Sequence, residues 1–221
     1  MAPRIPGQHH TMAPPGTDPS PPATADVPAW AHRNGLLSLG LPCAPTDARA
    51  IADRLLCCEC IARYCWGYDE RRPDALAACF TENAVWEGNV LGRIPIGPFE
   101  GRERIMKWLT NFWPYQHDQR RHMLMNTVVE EQAQDTAVTL SYLQLLGSNG
   151  KMVALETTGF YRVRYHRTGP GWQIAHLYAG FDAPFWPGDL ETMSARGRAR
   201  HGIVEHPQPQ APDTPGSAPR S

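Results

Sequence analysis

Two residues, Asp69 and His122, are the strongest candidates for chemistry in this sequence. Asp69 falls in the last turn of a predicted helix, where the helix dipole disfavours a carboxylate by roughly a few tenths of a kcal/mol. Asp69 therefore needs a cationic or hydrogen-bonding partner, and His122 is a candidate. An imidazole titrates near neutral pH, so such a residue is suited to accept a proton. The structural alternative pairs Asp69 with Arg71 or Arg72 and makes His122 an ordinary core histidine.

The helix that carries Asp69 is predicted to be long and apolar. Thr46 or Asp47 can cap its first turn, because their side-chain oxygens accept hydrogen bonds from free amides. Apolar residues then recur at three- and four-residue spacing, which is the helical period. Pro73 suits the first turn of a second helix and disfavours a helical residue just before it, so the joint falls near residues 70–72.

The second half of the domain changes to a period of two. Residues 121–131 alternate, and Ser148-Asn149-Gly150 is typical of a hairpin turn. Helices followed by sequential hairpins predict an α+β fold with a curved antiparallel sheet, across which the helices enclose a pocket. The predicted elements after the first helix are a helix at 73–79, a strand at 84–87, a loop at 88–98, a helix at 101–109, and strands at 121–131, 136–146, 152–165 and 172–181.

The folded domain is predicted to occupy residues 46–195. Residues 1–45 are rich in proline and lack apolar periodicity, so they are predicted to be a disordered tail. Residues 196–221 are rich in Pro, Gly, Ser and Arg and are predicted to be a second one. The segment between them is long enough for a single hydrophobic core.

Composition excludes several functional classes. A net charge of −1 over 221 residues gives no electrostatic footprint for nucleic acid or an anionic membrane, and no apolar run could span a bilayer. Four of the six cysteines lie within one predicted helix, where disulfide geometry is rare, so we expect a reduced, cytoplasmic protein. No second Cys/His pair at zinc spacing accompanies them, and we expect neither a metal nor a cofactor.

The order and spacing of several motifs resemble the SnoaL-like branch of the nuclear transport factor 2-like superfamily, over about residues 48–189. The resemblance implies a cone-shaped α+β barrel with a curved antiparallel sheet. The superfamily includes ketosteroid isomerase, scytalone dehydratase, limonene epoxide hydrolase, polyketide cyclases, a hexachlorocyclohexane dehydrochlorinase, bile-acid 7α-dehydratase and members without catalysis, so fold alone does not decide function. The motifs are Tyr64-x4-Asp69, Asp74-Ala-Leu, Phe80-Thr-Glu-Asn-Ala-Val-Trp, Phe99-Glu-Gly-Arg, Arg121-His122-x3-Asn126 and Gly171-Trp-Gln-Ile-Ala-His176.

The resemblance implies roles for particular residues. Asp69 and His122 match the dyad of the dehydratase and dehydrochlorinase members, in which His takes a proton from carbon and Asp holds its tautomer. Tyr64 matches a phenol that donates to an oxygen gaining charge, and Tyr68 is the alternative because it resembles a Tyr-Asp pair of scytalone dehydratase. No specialised site is reproduced whole: the ketosteroid isomerase base, for example, would fall near Gly88.

Further residues are expected to line the cavity. Asn126 shares the alternating face of His122, although a buried Asn bonded to a neighbouring strand is equally compatible. His176 has the parity of Trp172 and Ile174, which favours an inward orientation. The aromatic candidates for the pocket wall are Trp86, Trp113 and Phe160.

The resulting hypothesis is a cofactor-independent lyase of the dehydratase type, acting on a small apolar hydroxylated polycyclic, terpenoid or polyketide molecule. An isomerase or cyclase would use the same proton abstraction, and a non-catalytic small-molecule-binding or assembly module is the alternative from another class. Dehydratase members are typically trimers, so we expect a homo-oligomer, with a trimer preferred over a dimer. An exposed strand face bearing Tyr161, Val163 and Tyr165 would supply its interface.

Overall fold

The structure is a computed structural model that describes residues 29–37 and 39–184. It contains one six-stranded curved sheet with helices laid against it. Among the described residues, no helix is long and apolar enough to cross a bilayer. The helices are α1 (Trp30–Arg33), α2 (Ala48–Asp69), α3 (Pro73–Ala78) and α4 (Arg102–Thr110), with a 3₁₀ helix at Trp113–Tyr115; the strands are β1 (Phe80–Val90), β2 (Ile94–Glu100), β3 (Gln119–Gln132), β4 (Thr136–Ser148), β5 (Val153–Thr168) and β6 (Gly171–Phe181).

The sheet has the strand order β2-β1-β6-β5-β4-β3 and does not close into a barrel, which leaves β2 and β3 as its edges. The predicted antiparallel pairing is observed except between β1 and β6, which are parallel. The predicted loop at residues 88–98 is wrong, because β1 continues to Val90 and pairs with β2. Pro95 and Pro98 favour a loop by residue type, but an edge strand also accommodates proline, because its unpaired edge needs no amide donor.

Helix α2 crosses one face of the sheet and is anchored at its N-terminal end. Asp47 caps its N-terminus by accepting from the Ala50 amide at 2.8 Å. Asp53 accepts two hydrogen bonds from the Arg167 guanidinium, at 3.0 and 2.6 Å, and one from Trp172 Nε1 at 3.0 Å. The bonds from Arg167, which outweigh burial, hold the pKa of Asp53 below its ordinary value. This anchor fixes the orientation of α2, whose C-terminal end carries Asp69.

The space between α2 and the sheet is filled by aromatic side chains. Trp86 lies 4.1 Å from Trp108 between ring centroids, and Tyr64 lies 6.0 Å from Tyr161. The predicted oligomer face is wrong for this reason: Tyr161, Val163 and Tyr165 are 2, 1 and 0% exposed, since their strand positions point towards α2. The residues between them on β5 point to the opposite, outer face of the sheet.

Residues 29–37, which the sequence assigned to the disordered tail, include α1 and pack on this outer face. Trp30 lies 5.6 Å from Phe160 between ring centroids, and its Nε1 donates to Asp182 at 3.0 Å. Ala31 is buried in the same cluster, so the folded part begins before residue 46. The disorder predicted for residues 1–28 and 196–221, and the domain end at 195, lie outside the described residues.

Candidate functional site

The joint between α2 and α3 directs Asp69 towards the sheet. Helix α2 ends at Asp69, Arg71 adopts a left-handed backbone conformation with φ of 51°, and Pro73 begins α3. Arg71 of this joint does not pair with Asp69, because its guanidinium donates to the Gln116 carbonyl oxygen. Asp69 is thereby left to pair with the first residues of β3.

Asp69 and His122 are joined by two hydrogen bonds. His122 Nδ1 lies 2.6 Å from Asp69 Oδ1, and the His122 backbone amide donates to Asp69 Oδ2 at 2.8 Å. The Asp69 and His122 side chains are only 6% and 7% exposed. Because a carboxylate accepts, the neutral imidazole carries its proton on Nδ1. Nε2, for which the described residues provide no hydrogen-bond partner, then has a free lone pair.

This pair lies in the wall of a groove of about 420 Å³ between α2 and β3, here called the α2–β3 groove. The groove opens beside the edge strand rather than inside the filled space under α2. Its lining is mainly apolar, which suits a neutral organic molecule. Besides the dyad, the lining comprises Cys58, Ile61, Ala62, Cys65 and Trp66 from α2 and Arg121, Met123, Leu124 and Thr127 from β3.

A bulge in β3 decides which polar residue faces the groove. The register with β4 shifts between Met125 and Val128, and Asn126 has a left-handed φ of 53°. The expected place of Asn126 beside His122 is therefore wrong: the bulge leaves Asn126 exposed outside the groove and places Thr127, which is also exposed, in the groove lining. Thr127 Oγ1 lies 2.8 Å from Ser141 Oγ. The sequence signal for the bulge was Asn126 itself, because asparagine tolerates a left-handed backbone conformation well.

Tyr64 and Trp86 belong to the core and do not line the groove. Trp86 Nε1 donates to the Tyr64 hydroxyl at 3.3 Å, and Tyr64 also interacts with Tyr161. Burial raises the pKa of Tyr64 far above its ordinary value, so its phenol stays protonated. The hydroxyl first expected to donate beside the dyad is thus engaged inside the core.

Tyr68 and Trp113 support the imidazole instead. The Tyr68 ring meets His122 edge-on at 5.3 Å between centroids, and Trp113 lies 6.0 Å beyond Tyr68. The Tyr68 hydroxyl is bonded to the Gln116 side chain, with Nε2 at 2.9 Å, and burial raises the pKa of Tyr68 to about 12. Tyr68 is the tyrosine in contact with the dyad, although neither ring lines the α2–β3 groove.

Two further residues expected in the cavity lie on the outer face of the sheet. Arg164 pairs with His176, whereas the next residue, Tyr165, pairs with Ile174, so Ala175 is an extra residue in β6. This bulge reverses the parity on which the inward orientation of His176 was predicted. His176 Nε2 lies 2.9 Å from Glu87 Oε1. Phe160 also faces outward, under α1.

Comparison with known proteins identifies the family. The model of the SnoaL-like domain matches residues 49–178, which is more than half of the chain. The chain belongs to the SnoaL-like domain family. This SnoaL-like protein is thus placed in the nuclear transport factor 2-like superfamily, as the motifs predicted. No curated protein sequence matches it.

Solved structures with the same fold come from several bacteria. A cystatin-like-fold protein of unknown function from Nostoc punctiforme has a TM-score of 0.52 and 18% identity over 62% of this chain and 95% of that chain. A proposed aromatic ring hydroxylase from Novosphingobium aromaticivorans has a TM-score of 0.51 and 26% identity over 61% and 92%. The β subunit of a proposed aromatic-ring-hydroxylating dioxygenase from the same species has a TM-score of 0.54 at 10% identity over 62% and 94%.

Proposed function

We propose that this SnoaL-like protein is a cofactor-independent lyase in which His122 removes a proton from carbon. The observation that carries the proposal is the two-point contact of Asp69 with His122, combined with an Nε2 atom that has no hydrogen-bond partner among the described residues and belongs to the wall of the α2–β3 groove. A buried carboxylate that fixes one ring nitrogen both orients the imidazole and stabilises the imidazolium that forms on proton transfer.

The proposed reaction is the loss of water from a β-hydroxy ketone. His122 Nε2 takes the proton from the carbon between the carbonyl and the hydroxyl-bearing carbon, and the electron pair moves into an enolate. The enolate then re-forms the carbonyl and expels the β-hydroxyl, which receives the proton from Nε2 and leaves as water. Asp69 keeps Nδ1 protonated throughout. The apolar groove lining favours a small hydroxylated polycyclic, terpenoid or polyketide substrate.

Thr127 is proposed to hold a substrate oxygen. Its hydroxyl lies in the same groove as His122 and contacts Ser141 at 2.8 Å. When Ser141 donates to Thr127, the Thr127 proton is available for a carbonyl or leaving oxygen, where a donor stabilises developing charge. Tyr68 takes a positioning role, since its ring buttresses His122 and its hydroxyl is bonded to Gln116. This replaces the donor role first expected of Tyr64.

The direct test is elimination from a panel of bicyclic β-hydroxy ketones, followed through the absorbance of the conjugated product. In deuterated water, unreacted substrate should also gain deuterium at the carbon next to the carbonyl, because proton abstraction precedes elimination. Neither signal should appear with His122→Ala. Wild-type protein that binds these compounds without either reaction would exclude the lyase while leaving a binding function.

A second candidate, a non-catalytic small-molecule-binding or assembly module, is supported by two observations. The space under α2 is filled by aromatic side chains such as Tyr64 and Trp86, so the dyad adjoins a surface groove and not an enclosed cavity. The same fold occurs in the β subunit of a proposed aromatic-ring-hydroxylating dioxygenase, which is one component of a larger assembly. In that case, bicyclic ketones should bind wild-type and His122→Ala protein with equal affinity and remain unchanged.

A further inference from the structure

A second groove, on the other side of α2, contains a pair of cysteines. This α2–α3 groove has a volume of about 560 Å³, and Cys60 of α2 and Cys79, which follows α3, both lie in its lining. Cys60 Sγ lies 3.7 Å from the Cys79 carbonyl oxygen, and the two thiols interact with each other. Cys79 Sγ lies 3.3 Å from the Ala75 carbonyl oxygen. The proposed lyase site uses neither thiol.

The two thiols of this pair differ in acidity. A hydrogen bond from Cys60 lowers the pKa of Cys79, and the positive charge of Arg63 acts in the same direction against the effect of burial. Donating that bond, together with burial, raises the pKa of Cys60. Cys79 is therefore the thiol that ionises first, while Cys60 keeps its proton. An acidic thiol beside a protonated one is the asymmetry that thiol–disulfide exchange uses.

The other buried cysteines of α2 have no such partner arrangement. Burial raises the pKa of Cys57 to about 12 and raises that of Cys65 well above its ordinary value. A thiol that remains protonated is a poor nucleophile. Among the buried thiols, reactivity towards disulfides should therefore concentrate at Cys79.

We propose that Cys60 and Cys79 form a redox dithiol that exchanges with low-molecular-weight disulfides such as oxidised glutathione. The Cys79 thiolate attacks one sulfur of the disulfide, the sulfur–sulfur bond breaks, and one glutathione thiolate leaves. Cys60 then loses its proton to solvent and attacks the Cys79 sulfur of the mixed disulfide, which releases the second thiolate. Two protein thiols are oxidised to one disulfide, and one glutathione disulfide is reduced to two thiols.

The bond would tie the middle of α2 to the start of β1. Helices α2 and α3 already meet closely there, since a Cβ on Gly67 would come within 3.0 Å of the Leu76 backbone. The groove opens between these elements, and the disulfide reagent would reach Cys79 through it. The proposal does not depend on the α2–β3 groove or on the proposed lyase activity.

The test is intact-mass analysis of the full chain after equilibration with mixtures of oxidised and reduced glutathione and alkylation of the remaining thiols. The oxidised protein should lose two of its six alkylatable cysteines, and peptide mapping should link Cys60 to Cys79. Six alkylated thiols at every glutathione ratio, or a disulfide between other cysteines, would overturn the proposal.

Two variants test the order of attack. Cys60→Ser should trap one glutathione on Cys79, because the second thiol is missing, and Cys79→Ser should form neither adduct nor disulfide. Cys43→Ser is the matched control and should behave as wild type. Failure of Cys60→Ser to trap glutathione would refute the assigned roles; should either variant misfold, the wild-type peptide map still decides whether the disulfide forms.

Discussion

Among the described residues, two histidine–carboxylate pairs lie on opposite faces of the sheet, and they differ in almost every respect except their chemistry. Asp69 and His122 are 6% and 7% exposed, whereas the Glu87 and His176 side chains are 35% and 31% exposed. Asp69 also accepts the His122 backbone amide, while Glu87 holds His176 through one contact of 2.9 Å. The inner pair is thus held at two points, and the outer pair is a half-exposed surface contact.

The two rings also present opposite nitrogens to their carboxylates. His122 contacts its carboxylate through Nδ1, which leaves Nε2 available to a ligand in the groove, whereas His176 contacts its carboxylate through Nε2. A histidine that acts as a base needs a fixed tautomer and a free nitrogen aimed at its substrate. The comparison shows that proximity of a carboxylate to a histidine is a weak criterion for a site. The discriminating features are burial, a second fixing contact and an adjoining groove.

The largest expected effect separates the two histidines. His122→Ala should reduce turnover of a bicyclic β-hydroxy ketone by about 10³-fold or more, because general-base catalysis contributes of that order. His176→Ala, the matched control, should leave the rate within about twofold, since exposed pairs contribute little. Steady-state kinetics on both variants measures this. Equal losses in the two variants would show that the inner pair has no special role.

The carboxylates provide the next comparison. Asp69→Asn should lower kcat by about 10²-fold while ligand affinity changes little, because the lost charge acts on the imidazolium formed during reaction. Glu87→Gln should have almost no effect on kcat. Thermal unfolding serves as the control for folding. If Asp69→Asn unfolds the protein while His122→Ala retains activity, Asp69 has a structural role and the lyase assignment fails.

Removal of a tyrosine hydroxyl should change the stability of the protein rather than its turnover, and by different amounts on the two faces of the sheet. Tyr64→Phe leaves buried Trp86 Nε1 without its acceptor, so the free energy of unfolding should fall by about 1–3 kcal/mol. Tyr178→Phe, on the outer face, should change it by less than about 0.5 kcal/mol. Denaturant unfolding measures both. A large loss of kcat in a fully stable Tyr64→Phe protein would instead restore Tyr64 as a catalytic hydroxyl.

The smallest expected effect concerns the bulge in β3. Thr127→Val removes a hydroxyl at nearly constant volume and should lower kcat by about 10-fold if that hydroxyl binds a substrate oxygen. Asn126→Asp, next to it but outside the groove lining, is the matched control and should leave kcat almost unchanged. An unchanged rate in Thr127→Val would remove Thr127 from the proposed site while leaving the dyad in place.

The sequence predicted the elements well but not the faces of two strands. Local signals were sufficient where periodicity and caps are strong: α2, its end at Asp69, and the placement of His122 on the first long strand all agree with the structure. The orientations of Asn126 and His176 failed because one inserted residue reverses strand parity. A bulge depends on the register with the neighbouring strand, which periodicity within one strand does not contain.

Long-range packing explains the remaining differences. Aromatic residues such as Trp86 and Phe160 were expected in one cavity, yet one fills the core and the other supports α1 on the outer face. Residue type indicates burial but not the cluster in which a side chain is buried. The short helix at Trp30–Arg33 escaped prediction for the same reason, because four residues have little helical signal of their own and depend on the sheet beneath them.

The most direct test of the central claim is a ¹⁵N NMR measurement of the ring nitrogens of His122 and His176 at a pH where both imidazoles are neutral. Two-bond nitrogen–proton correlations distinguish the two tautomers. We predict that His122 is protonated on Nδ1 and His176 on Nε2. Asp69→Asn should abolish the tautomer preference of His122 and leave that of His176 unchanged. A His122 ring protonated on Nε2, or one that interconverts freely between tautomers in the wild-type protein, would show that Asp69 does not fix His122 for proton abstraction.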